Sequence, residues 1–164
     1  MSVIRVRPAA RADQEAALGL WLALHREHEA LEPRYRLAAD AAARWAHDFP
    51  EWVRSDHHCL RVAESDGSTL VGLLTAHAGW PVPVYAPVSF VHVDDLFVDP
   101  SARGQGLGVA LLDAVRVWAA GIGATEIRAG VLAANPAGRA FWGAQGAEPF
   151  STTVIVPLEE YSDS

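Results

Sequence analysis

With 164 residues, of which 51% are apolar and 20% charged, the chain can bury one sizeable core, which excludes intrinsic disorder and makes residues 1–164 a single expected domain. Twenty acidic against 13 basic residues leave a net charge of −7, which argues against a nucleic-acid partner, because phosphate binding needs concentrated cations. An acidic surface can draw cationic small molecules, and it equally serves solubility alone.

A lone cysteine, Cys59, permits no intrachain disulfide and makes a reducing, cytoplasmic compartment the expectation. No stretch approaches the ~20 apolar residues of a membrane span, so no membrane partner is expected. Residues 1–8 lack the apolar centre of a secretory leader.

In chain order, residues 3–7 alternate partly and stop at Pro8, as a short strand does. From Asp13 onward, Ala17, Leu20, Trp21, Leu24 and Leu31 recur at helical spacing, with Arg26, Glu27 and Glu29 on the outer face. Residues 37–54 form a second, alanine-rich helical stretch, expected to be interrupted at Pro50. Residues 58–64 and 69–78 read as strands joined by a turn at Asp66-Gly67. Three prolines, Pro81, Pro83 and Pro87, then exclude a regular central strand and leave a loop carrying Trp80 and Tyr85.

Residues 88–98 are a strand closed by Asp99-Pro100, and a glycine-rich turn at residues 103–108 leads into a helix ending near Gly121. Residues 125–131 alternate, with Ile127, Ala129 and Val131 on one face and Glu126 and Arg128 on the other. Asn135-Pro136 places a capping residue before proline at the first helical position. That helix ends near Gly146, and residues 150–158 read as a final strand. The predicted order is β-α-α-β-β-β-α-β-α-β, an α/β domain with helices on both faces of one sheet.

The strand, glycine-rich turn and helix start at residues 95–108 carry the chemistry. The first N–H groups of a helix lack intrahelical partners and, with the helix dipole, form an anion site. Gly104, Gly106 and Gly108 let the backbone approach a ligand. The spacing G-x-G-x-G is not the G-x-G-x-x-G of a dinucleotide fold, and with no lysine in the chain no Walker A loop is possible.

Arg103-x-x-Gly106-x-Gly108 resembles the Arg/Gln-x-x-Gly-x-Gly/Ala signature of the GNAT superfamily, the GCN5-related N-acetyltransferases. Upstream, residues 95–100 are similar to the strand preceding that loop; downstream, Asn135, Ala140, Phe141, Trp142 and Gly146 resemble the second motif helix. The resemblance implies a GNAT-type α/β fold with a mixed, mostly antiparallel, splayed sheet. It implies acetyl-CoA as donor and direct attack by an amine within a ternary complex. The N–H groups of Arg103, Gly104, Gln105, Gly106, Leu107 and Gly108 would hold the pyrophosphate. The backbone of Leu96, Phe97 and Val98 would hold the pantetheine and thioester carbonyl, where a donor favours developing negative charge. Asn135, Phe141 and Trp142 would complete the donor site, although a capping role alone explains Asn135.

The family often places tyrosine, as acid for the departing thiolate, where this chain has Trp142, and indole N–H is no usable acid. Tyr85 or water would then protonate the thiolate, or the protein is a weak or inactive member. For the base, Asp94 resembles the acidic position of diamine-type members; Asp95 and His92 are further candidates, His92 sharing Asp94's face if no bulge intervenes. Trp80 and Tyr85 lie on the loop where the family admits the acceptor. His25 and His28 lack a third ligand, so no metal is expected, and His57-His58 reads as a solvated turn. The resemblance also implies a homodimer. A non-catalytic acyl-CoA-binding module, or a transferase for another acyl group or acceptor, stands as the alternative.

Overall fold

The computed structural model describes residues 4–66 and 68–158. Val3 and Gly67, which belong to the first predicted strand and the predicted turn, lie outside the described residues. The elements are β1 (Arg5–Pro8), α1 (Gln14–Leu31), α2 (Ala41–Arg54), β2 (His58–Ser65), β3 (Thr69–Gly79), β4 (Phe90–Val98), α3 (Leu107–Gly121), β5 (Glu126–Ala129) and α4 (Pro136–Ala144). The five strands lie in sequence order in one sheet, antiparallel except for the parallel pair β4–β5.

Strand alternation divides the sheet between two apolar clusters. On one face Leu60, Val62, Leu73 and Phe97 pack with Leu20, Trp21 and Leu24 of α1 and with Trp45 and Phe49 of α2. On the other, Cys59, Ala63, Val71, Leu74, Val91 and Val93 pack under Leu111, Leu112, Val115 and Ala119 of α3. Helices cover both faces, as expected. Burial raises the Cys59 thiol's pKa, which suits an inert core residue.

Three differences from the sequence reading have physical causes. Pro50 does not interrupt α2: Trp45, Phe49 and Trp52 fall along one face, and their packing holds the helix across the missing N–H. β5 is shorter than the alternating pattern because its partner leaves it; the β4–β5 register runs only from Phe90↔Glu126 to Val93↔Ala129. Residues 150–158 form no strand, and their apolar side chains stand in solvent, with Phe150 80% and Leu158 90% exposed. A strand pattern without a ladder partner stays an open chain.

Candidate active site

The parting of β4 from β5 positions everything else. Beyond Val93, residues 95–98 of β4 pair with β3 alone among the described residues, so their other edge is open. At the end of that edge, Asp99 accepts hydrogen bonds from the Ser101 N–H at 2.9 Å and hydroxyl at 2.5 Å; the hydroxyl, then the amide, holds the Asp99 carboxyl below its usual range. Gly104 and Gly106 both have φ of +77°, a conformation that costs a residue with a Cβ roughly 1–2 kcal/mol. Gly106 caps α3 with no side-chain bond, and the first helical bond runs from Ala110 N–H to Gly106 O. The amides before it are left to an external acceptor.

Gly108 serves packing: a Cβ there would sit 3.0 Å from the Phe141 ring of α4. The Arg103 guanidinium turns away from the loop, donating to Val98 O at 2.9 Å and Glu27 at 2.7 Å and lying 5.5 Å from the Phe97 ring centroid. It ties the loop to α1, which leaves the loop's main chain, and not this side chain, at the start of α3. Phe97 is itself core and leaves only its main chain to a ligand.

On β4, Val93 pairs with Ala76 and Asp95 with Thr75, leaving Asp94 as the extra residue of a bulge. The bulge brings consecutive carboxylates to one pocket. Asp94 Oδ2 lies 2.7 Å from His77 Nδ1, and Asp95 Oδ2 accepts the Thr75 hydroxyl at 2.6 Å. A carboxylate only accepts, so the His77 ring donates through Nδ1, and Nε2 is the ring's other polar atom. The pocket, about 440 Å³, lies between α1, α2 and strands β2–β4, with Trp21, Trp45, Trp52, His25 and His58 on its walls. His25 Nε2 is buried without a hydrogen-bond partner, 3.6 Å from Asp95 Oδ1, too far for a bond.

Sequence reasoning placed Asp94 and Asp95 in this region but missed His25, His58, His77 and the three tryptophans. His58 is no solvated turn residue; it lies on β2, cross-strand from His77, with its ring stacked on Trp52 at 6.2 Å. Burial first, then the neighbouring His77, pushes its pKa down. His92 pairs with His77, their rings 5.5 Å apart, while the bulge breaks the simple alternation between His92 and Asp94. Among the described residues no group of three His, Cys, Asp or Glu side chains is placed to hold a metal ion.

Trp80 and Tyr85, 66% and 67% exposed, do not line the pocket; Trp80 meets the His57 ring edge-on at 5.8 Å. Asn135 accepts the Gly138 N–H at 2.9 Å and caps α4. Trp142 meets Phe141 edge-to-face and lines a separate groove beside α3 and β5.

Comparison with known proteins gives this geometry a relative. Among solved structures, a mutant of the BH1408 protein from Bacillus halodurans superposes with a TM-score of 0.83 at 20% identity, covering 94% of this chain and 99% of that one. The aminoglycoside N-acetyltransferase AAC(6')-Iy in complex with CoA gives 0.75 at 21% identity, covering 96% of each chain. Glucosamine-6-phosphate N-acetyltransferase from Arabidopsis thaliana gives 0.68 at 15%, covering 96% and 99%. At these identities the likeness establishes the fold. No curated protein matches the sequence. Residues 21–147 match the sequence profile described as the acetyltransferase (GNAT) family, and the chain belongs to that family.

Proposed function

We propose that this protein is an acetyl-CoA-dependent N-acetyltransferase acting on a primary amine. One observation carries the reading: the bulge that sets Asp94 against His77 stands where the open edge of β4 meets an aromatic, acidic pocket. The chain's own features fit the donor. The uncapped N-terminus of α3 suits a pyrophosphate, and the free edge of residues 95–98 offers main-chain groups to an extended pantetheine.

Acetyl-CoA supplies the thioester whose acyl carbon an amine attacks. Asp94 and His77 act as a unit: the Nδ1–H donated to Asp94 fixes the tautomer, and the carboxylate stabilises the ring when Nε2 takes the ammonium proton. The freed lone pair forms the N–C bond as the C–S bond breaks. The new amide nitrogen gives its remaining surplus proton to the departing sulfur or to solvent, and the first proton passes from His77 to solvent, which restores the pair and leaves a neutral amide and CoA. A free thiol titrates at about 8.5, so the thiolate can leave without a tyrosine acid. This base pair favours a working enzyme over a binding module despite Trp142.

The test is CoA release from acetyl-CoA across a panel of primary amines. His77→Gln and Asp94→Asn are each expected to lower kcat/KM about 100-fold, within the range for lost general-base catalysis, with acetyl-CoA affinity unchanged. Unchanged turnover in both variants would contradict the assignment.

The same reading extends to assembly as a homodimer. Among the described residues the outer edge of β5 has no partner strand, and residues 150–158 expose Phe150, Val154, Ile155, Val156 and Leu158. An open strand edge and an exposed apolar strand sequence on one chain are complementary between two copies.

A further inference from the structure

We infer that the acceptor is a compact primary amine carried on an aromatic or similarly flat apolar body, an arylalkylamine by chemical class. This narrows the transferase reading above and rests on it. The pocket combines two kinds of surface. Asp94 and Asp95 share its lining with the rings of Trp21, Trp45, Trp52 and His58. Trp21 and Trp45 are buried and stacked at 5.7 Å, and Trp45 and Trp52 meet edge-to-face at 5.9 Å. Trp52, half-buried and braced edge-on by the buried Trp45, offers the ring plane for a flat ligand.

Besides the two aspartates and three histidines, Thr75 is the one hydroxyl on the walls among the described residues, and Asp95 already takes its proton. Among the described residues no serine, asparagine, glutamine or tyrosine lines the pocket. A polyhydroxylated aminosugar would bury hydroxyls without partners, which weakens binding. Burial keeps the pKa of His58 low and favours its neutral form, so the aromatic wall carries no charge to repel a cation.

His25 supplies the independent observation. Its Nε2 is the one buried side-chain nitrogen or oxygen lacking a hydrogen bond among the described residues. With the ring proton on Nδ1 it needs a donor, and an ammonium beside Asp95 provides one. Its three N–H groups can then address Asp95, His25 and the His77 base while the body lies along the tryptophans. Size agrees: about 440 Å³ lies at the small end of the ~300–1,000 Å³ range for small-molecule sites, enough for one ring with a short aminoalkyl arm.

The test is calorimetric titration of the protein with 2-phenylethylamine, kanamycin and spermidine, with and without saturating CoA. A parallel acetyl-CoA titration checks the donor site separately. We expect 2-phenylethylamine to bind at least tenfold more tightly than either of the others. Trp52→Ala, a half-buried position that leaves the buried Trp21–Trp45 pair in place, should weaken that binding at least tenfold, with the circular dichroism spectrum retained. Tighter binding of kanamycin or spermidine, no binding of 2-phenylethylamine, or an unaffected Trp52→Ala variant would overturn the acceptor class. Acetyl-CoA binding in any of those cases would leave the transferase reading standing; loss of acetyl-CoA binding alone would remove that reading and not the pocket's preference.

Discussion

Consecutive residues of a strand face opposite sides of its sheet, so Asp94 and Asp95 share a pocket only because the first occupies a bulge. The two carboxylates have different partners, and their variants should differ. Asp94 touches His77, and Asp94→Asn should act mainly on kcat. Asp95 is held by Thr75 and lies beside His25; Asp95→Asn should act mainly on KM for the amine. Steady-state kinetics with one amine separates them, and equal effects on both constants would refute the division. Histidine also sets the pH dependence of stability. Burial, more than any neighbouring charge, holds His28 and His58 below the ordinary value of 6.5. The unfolded chain therefore binds protons first as pH falls, so stability is full above about pH 6.5 and declines through the lower folded values. Urea midpoints at pH 7.5 and 5 should show the loss. His28→Gln should shrink it, and an unchanged pH difference would contradict this account.

At the scale of elements, the loop before α3 is built on two left-handed glycines. Gly106→Ala forces a Cβ into φ of +77° and should cost about 1–2 kcal/mol, read as a lower urea midpoint; no change would show that the turn relaxes freely. The elements most legible in the sequence were those with strong local signals. Amphipathic spacing marked α1 and α3, and Asn135-Pro136 marked the start of α4. The glycine-rich loop was legible for the same reason, being contiguous in the chain. The pocket proposed for the acceptor was not, because it joins Trp21 and His25, Trp45 and Trp52, His58, and His77 from four elements through cross-strand register and helix docking. His77 lay in a predicted strand with nothing local to distinguish it. Residues 150–158 misled in the opposite direction: the pattern is that of a strand, but pairing is a tertiary property, and they pair with no strand among the described residues.

Across the whole molecule, β4 is the shared wall. One apolar cluster roots it under α1 and α2, where the pocket proposed for the acceptor opens; the other roots it under α3, whose N-terminus would hold the donor. The exposed residues 150–158 and the open edge of β5 belong to this scale as well. Light scattering after size exclusion should give a dimer for the full chain and a monomer once residues 150–164 are removed. A monomeric full chain would contradict the homodimer. The central claim, that the backbone before α3 binds acetyl-CoA, is tested most directly by titrating acetyl-CoA calorimetrically into the wild-type protein and into Gly106→Glu, with circular dichroism to confirm that the variant folds. The account predicts micromolar binding by the wild type and none by the folded variant, whose carboxylate would stand in the anion site. Failure of the wild type to bind, or equal binding by both proteins, would contradict it.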